Sequence, residues 1–274
     1  MPRSICRNKH INNINNSNHS DKCNKHSKRN KYITVALSLA LGFVIWAIAA
    51  RLVGKDILLP GPVTSFRALA AMMRQPQFWS NYWASFLRGL IGFSIAFVSG
   101  TVMGMITGLN ASVGALFRPV LAAIRSTPSM SFILLALIWF RSETVALFVT
   151  FMVVFPIVAQ NVAEGTAQID RDLIDMAGVY KVSPWRILWE IRVPAMLPYL
   201  AAAAATGIGL TWKVLISAEV LASPDLGIGA QMDRARIFLN TPEVFAWTAV
   251  VVLTGFLFDW VLDTVVRKKL FFWK

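Results

Sequence analysis

Long apolar stretches separated by short polar ones run along most of the chain. Six of them, 33–53, 82–109, 114–140, 144–163, 195–218 and 244–266, reach or approach the roughly 20 residues that a helix needs to cross a bilayer. Backbone groups in lipid must be satisfied within their own segment, so each stretch is predicted helical. The fold class that follows is all-α: a polytopic membrane protein of about six transmembrane helices, with residues 33–274 as one transmembrane domain. An even number of spans puts both termini on one side.

The pattern carries finer marks. Gly92, Ala96, Gly100, Gly104 and Gly108 recur every four residues in the second span and draw a small-residue stripe, the pattern that lets helix backbones approach closely in lipid. Between the first two spans, Leu59-Pro60-Gly61-Pro62 precedes 63–73, whose apolar positions Phe66, Leu69, Ala70 and Met73 have the spacing of an amphipathic helix. Trp79, Trp83 and Trp139 suit interfacial anchoring at span ends. Residues 222–243 read as a connecting loop. Ala47-Ile48-Ala49 resembles a signal-peptidase site, but a basic lead of some 32 residues is long for a signal peptide, so the first segment is read as an uncleaved span.

The polar connection of about 164–193 has its own local order. Asp170 is placed to cap a short helix through Leu173, Ala177 and Tyr180. Ser183 is placed to cap a second, with Pro184 at its first position, where the missing N–H costs nothing. Trp185, Leu188 and Trp189 then form an apolar face, so the two helices make a knob able to seat in a cleft of another protein.

Composition supports the membrane class: 56% of the 274 residues are hydrophobic and the mean hydropathy is +0.56. The net charge of +13 does not signal nucleic-acid binding. Basic residues cluster before the first span, Arg3 to Lys31, and after the last, at Arg267, Lys268, Lys269 and Lys274, the bias expected of cytoplasmic termini. Both cysteines and all three histidines, Cys6, His10, His19, Cys23 and His26, lie in the polar segment 1–32, whose composition predicts a basic disordered cytoplasmic tail. Their spacing matches no standard zinc module, so no metal site is assigned. The spans show no paired carboxylates and no nucleophile with a base, so no catalytic residues are assigned. No Gly-x-x-x-x-Gly-Lys-Ser/Thr phosphate loop is present either.

Within the 164–193 connection, Asp175-Met176-Ala177 is followed at 191–194 by Ile-Arg-Val-Pro. This resembles the EAA-type coupling loop of ABC importer permeases of the type I fold, in the nitrate, sulfonate and taurine branch, which also shows a Pro-Gly-Pro turn like that at 60–62. Asp175 stands for the acidic residue, Ala177 for the second alanine, and Ile191 and Pro194 for the end of the motif. Lys181 stands where the family has glycine, so the first short helix is expected to end earlier, around Gly178. The resemblance implies that Asp172, Asp175, Met176, Ala177, Gly178, Lys181, Ser183, Pro184, Trp185, Ile191 and Pro194 belong to the ATPase-coupling element. It implies further partners: separate ABC ATPase subunits that hold ATP and Mg, an extracytoplasmic solute-binding protein, and a second permease copy, most simply a homodimer. This chain itself needs no cofactor. It belongs in the lipid of the bacterial inner membrane, multi-pass, with both termini cytoplasmic.

The ionisable groups in the spans are the candidates for the solute pathway. Arg125, about eleven residues into a continuous third span, falls near mid-membrane, and Pro128 can break the helix beside it. Lys213 and Glu219 lie toward the outer end of the fifth span, six apart and so not on one face; packing or loop anchoring is weighed beside pathway lining for them. Arg125 and Lys213 suit a small anion such as a sulfonate, taurine or nitrate. A neutral thiamine-precursor pyrimidine is the alternative within the branch. A secondary transporter is the rival class, but no internal repeat supports it.

Overall fold

The computed structural model describes residues 34, 37, 38 and 40–270, with the side chains of 171, 263 and 265–270 left out of account. The Cys and His positions of the tail lie outside the described residues. Two compact units divide the chain, Met1–Pro62 and Val63–Lys274. In the first, helix α1 covers Ala40–Val53 and turns at Gly54, whose φ of +64 suits a residue without a side chain. The Trp46 Nε1–H donates to the Pro60 carbonyl at 3.1 Å.

The elements among the second unit's described residues are all helices: α2 Pro62–Met73, α3 Pro76–Leu109, α4 Ala111–Ser126, α5 Ser129–Trp139, α6 Ser142–Ala167, α7 Arg171–Val179, α8 Pro184–Ile187, α9 Val193–Ala222, α10 Ile228–Ile237 and α11 Thr241–Leu270. Among the described residues, four helices are long and apolar enough to cross a membrane, or five if α4 and α5 are counted as one broken span. The expected six is therefore not what the described helices give. Two features account for the difference. Of the first predicted span, 33–53, only Ala40–Val53 is described as a continuous helix, and the third span is not a rod.

Helices α4 and α5 meet at 93°. Thr127, which precedes a proline, is forced toward extended backbone at φ −75°, ψ 127°, and Pro128 caps α5 without an N–H to continue α4. Counting residues from 114 thus does not measure the depth of Arg125, which occupies the last turn of α4. The 222–243 loop is also corrected: it contains α10, a short and polar helix that no apolar period marked. In α2 the buried face is Ser65 and Leu69, while Phe66 and Met73 face outward, one step round from the predicted stripe.

The small-residue stripe of α3 is where α6 lies. A Cβ on Gly100 would meet the Phe155 carbonyl oxygen and Val158 Cβ, each at 2.9 Å; on Gly104, the Ala159 carbonyl oxygen at 2.5 Å and Val162 Cβ at 2.6 Å; on Gly108, Thr166 Cβ at 2.6 Å. The four-residue period of α3 meets the four-residue period of α6, so the two ridges run in register along the seam. Helix α9 packs against both, and two apolar cores form along the bundle axis. One, toward the α7 end, gathers Ala96, Val154, Val158, Val162, Met196 and Ala203. The other, toward the α10 end, is built around Val145, Val149, Ile133, Trp212, Leu215 and Trp247. Trp212 Nε1–H also donates to the Val251 carbonyl at 2.9 Å and ties α9 to α11.

Gly104→Ala should destabilise the protein by about 1–3 kcal/mol, because the added methyl meets backbone that has no room to give. Gly209→Ala is the control, since nothing lies within 4 Å of its Cβ position. Unfolding in mixed micelles reads the difference, and equal responses of the two variants would show that no close approach exists at Gly104.

Candidate functional site

Three regions hold the residues singled out in the sequence. The first is the segment after α6. Asp170 Oδ1 accepts the Asp172 N–H at 3.0 Å and starts α7, and Ser183 Oγ accepts the Arg186 N–H at 3.4 Å and starts α8 with Pro184 at its first position. Asp172, Asp175, Met176 and Trp185 are exposed, Ala177 is buried, and Ile191 is half-buried. Val179, Tyr180, Trp185 and Trp189 together make an exposed apolar surface, with the Trp185 and Trp189 rings edge to face at 5.9 Å. Helix α8 does not end in a second loop. It continues through a π-type turn at Leu188–Arg192, where the Val193 N–H reaches the Leu188 carbonyl, and runs on into α9. Pro194, expected to close the loop, lies in the first turn of α9, where its missing N–H is tolerated.

The end of α7 corrects an expectation. The first short helix does not stop at Gly178, which is within α7 with open space around its Cβ position; the left-handed residue is Lys181, at φ +52. The Lys181 N–H donates to the Gly178 carbonyl and the Val182 N–H to the Ala177 carbonyl, both at 3.0 Å. These are the two bonds of a Schellman closure, with Lys181 at the position that favours glycine. Satisfying two terminal carbonyls outweighs a left-handed penalty of about 1 kcal/mol. The chain therefore keeps the turn where the resemblance puts it and carries the strain.

The second region is a polar network at the α10 end. Glu219 is fully buried, and its partner is not Lys213. Ser85 Oγ donates to Glu219 Oε2 at 2.6 Å, Arg88 Nη1 to Oε1 at 2.8 Å, and the Gly229 N–H to Oε2 at 3.0 Å. Ser85 Oγ accepts the Ile228 N–H at 2.8 Å, and Asn81 Oδ1 accepts the Gly227 N–H at 2.9 Å. The free N–H groups that open α10 are thus met by side chains of α3 and α9, with the carboxylate at the positive end of the helix. Arg88 reaches further, to the Leu226 carbonyl at 2.6 Å and to Glu143 of α6, whose other oxygen accepts the Asp225 N–H at 2.8 Å. Gly227 and Gly229 are required by contact: a Cβ on either would fall within 2.8 Å of Glu219. Sequence reasoning missed Asn81, Ser85, Arg88 and Glu143. The signal was there, as Asn81, Ser85 and Arg88 at i, i+4 and i+7 put three polar groups on one face of an apolar helix.

The third region separates the remaining candidates. Lys213 is exposed on α9, on a face shared with Thr206, Gly209 and Ser217 and turned away from the buried face of Thr211, Leu215 and Glu219. No acceptor reaches its ammonium among the described residues. Arg125 and Pro128 are exposed at the α4–α5 break, and Arg125 opens onto a cleft at the α7 end. The structure therefore does not bring Arg125, Lys213 and Glu219 together.

Two outcomes follow from these geometries. Lys181→Gly and Gly178→Ala should each stabilise the isolated protein by about 0.5–1 kcal/mol, the first by relieving left-handed strain and the second by removing glycine from a helix. A loss of stability in Gly178→Ala would return the turn to Gly178. Glu219→Ala should cost about 3 kcal/mol in equilibrium unfolding, because it removes one of the two carboxylates that hold Arg88 and leaves the buried Gly229 N–H without its acceptor, while Ser85→Ala should cost about 1–3 kcal/mol. Wild-type stability in Glu219→Ala would show that the network holds nothing.

Known proteins share these features. Residues 100–270 match the family described as binding-protein-dependent transport system inner membrane component. The bicarbonate transport system permease protein CmpB of Synechococcus elongatus is 33% identical over 218 residues, 73% of this chain and 77% of CmpB. The taurine transport system permease protein TauC of Escherichia coli is 26% identical over 82% of this chain and 84% of TauC. The nitrate import permease protein NrtB of a Synechocystis strain is 29% identical over 84% of this chain and 86% of NrtB. A chain of the inward-facing MetNI methionine ABC transporter shares the fold, with a TM-score of 0.58 over 71% of this chain and 98% of that one at 16% identity. With the family matched over more than half its length, the chain belongs to the binding-protein-dependent transport inner-membrane components, the multi-pass permease subunits of ABC importers.

Proposed function

We propose that this chain forms the solute pathway of an importer for a small anion, of the size and charge of bicarbonate, nitrate or taurine. Lys213 carries the reading. It is an ammonium without an acceptor among the described residues, in the last third of a spanning helix on an exposed face with Thr206 and Ser217, and a charge in a span requires a polar surrounding rather than lipid. A water-filled path lined by that face supplies one and attracts an anion to it. Arg125, beside the Pro128 break, adds positive potential toward the α7 end. The printed names of the relatives, for bicarbonate, taurine and nitrate, agree in charge class. Glu219 stands outside this path as an anchor of α10.

The segment from Asp172 to Trp189 serves as the contact for a separate ATPase subunit. Its exposed Val179, Tyr180, Trp185 and Trp189 make an apolar surface that gains by being covered, and Asp175 gives it an acidic point. A second permease copy, an extracytoplasmic binding protein and cytoplasmic termini complete the arrangement.

Proteoliposomes holding the permease, its ATPase and its binding protein test both parts. Lys213→Gln should lower uptake of labelled bicarbonate, nitrate or taurine about tenfold, worth about 1.4 kcal/mol, with complex assembly unchanged. Trp185→Ala and Asp175→Lys should leave ATP hydrolysis running without uptake. Uptake unchanged in Lys213→Gln, or uptake confined to a neutral pyrimidine, would remove the anion reading. Coupled transport in the Trp185 and Asp175 variants would remove the docking assignment.

A further inference from the structure

At the α7 end, the last turn of α3, the body of α4, the end of α6, Ile174 of α7 and Arg192 of the π-type turn line a cleft of about 780 Å³. Three guanidinium groups line it: Arg118 and Arg125 from α4, and Arg192 from the π-type turn. Arg118 and Arg125 are seven residues apart and so share one face of α4, two turns from each other. None of the three has a hydrogen-bond or ion-pair acceptor among the described residues, and the Arg192 Nε–H is buried without one. The carboxylate of the cleft, Glu164, is engaged by Gln160 Nε2 at 2.8 Å. Three guanidinium groups against one carboxylate leave two positive charges uncompensated.

A folded chain does not ordinarily bury a guanidinium N–H with nothing to receive it. The planar fork of arginine matches oxyanion oxygens two at a time, and the cleft volume falls in the range of small-molecule sites. We propose that this cleft is a binding site for an oxyanion, held between α4 and the π-type turn by Arg118, Arg125 and Arg192. The chemistry is that of a phosphate group, as an anionic phospholipid headgroup or as a free oxyanion. The surroundings favour the lipid: basic pockets between spanning helices are places where anionic headgroups bind, and the opposite side of α4, at Leu116 and Val120, is exposed and apolar. A bound oxyanion joins α4 to the segment leading out of α8, so its occupancy biases how that segment moves. The regulatory consequence rests on the docking role proposed above, and the site shares Arg125 with the proposed solute path; lipid retention is read without transport, so its failure and the failure of that path are told apart.

Native mass spectrometry of the delipidated full-length permease tests the binding directly, without reference to transport. Phosphatidylglycerol and cardiolipin should be retained at least tenfold over phosphatidylcholine, and the double variant Arg118→Gln with Arg125→Gln should abolish the preference. Arg192→Lys, which keeps the charge and loses the fork, should retain part of it. Arg236→Gln, at the α10 end, is the control and should retain all of it. A parallel thermal-shift titration with inorganic phosphate separates the sources: stabilisation by phosphate that the double variant loses, with no lipid preference, assigns the site to a free oxyanion and still supports it. Equal retention of anionic and zwitterionic lipid together with no phosphate effect on the wild-type protein would overturn the proposal. So would responses of the double variant indistinguishable from those of the wild-type protein.

Discussion

The approach of the α3 and α6 backbones is the constraint on which the rest of the second unit depends. Lipid offers no hydrophobic drive between helices, so contact must come from close packing, and close packing needs positions without side chains. Gly100, Gly104 and Gly108 supply them, each facing a backbone carbonyl or a Cβ of α6. With that pair fixed, Ala96 and the α6 ridge of Val154, Val158 and Val162 present a surface that receives Met196 and Ala203 of α9. The polar groups at both ends of the bundle take their positions from this frame.

At the α10 end the frame makes a buried charge tenable. Glu219 on α9 is placed where Ser85 and Arg88 of α3 and the Gly229 N–H of α10 converge, so its desolvation is offset by three charge-assisted hydrogen bonds. The same bonds hold α10, which has little apolar surface of its own. Arg88 spreads the tie to Glu143 and to the Leu226 carbonyl, and α3, α6, α9 and the 223–227 connection are joined through one guanidinium.

At the α7 end the backbone carries strain instead. Lys181 is left-handed because the two bonds that close α7 fix the direction in which the chain leaves it, and α8 must then run through the π-type turn into α9. Leu239 repeats the device at the end of α10: it is left-handed at φ +56, the Asn240 N–H reaches the Ala235 carbonyl at 2.9 Å, and the Leu239 N–H reaches the Arg236 carbonyl at 3.1 Å. In both places helix closure decides the conformation and the side chain is accommodated in solvent.

Local chemistry determined what needed no partner. Apolar run length marked α3, α6, α9 and α11 as helices, the four-residue stripe marked the packing face of α3, and Asp170, Ser183 and Pro184 marked the starts of α7 and α8, because caps and periods act within a few residues of themselves. The loop register at Asp175 to Pro194 identified the family for the same reason. What depended on distant residues was decided by tertiary structure. The 93° turn at Pro128 removed the straight third span, and the buried face of α2 kept Leu69 but took Ser65 in place of Phe66 and Met73 once a core existed to receive it. Glu219 found Arg88, 131 positions away, and three arginines from α4 and the π-type turn came to line one cleft. A charge takes its partner from whatever the packing brings within about 3 Å, and packing joins residues that no local pattern relates.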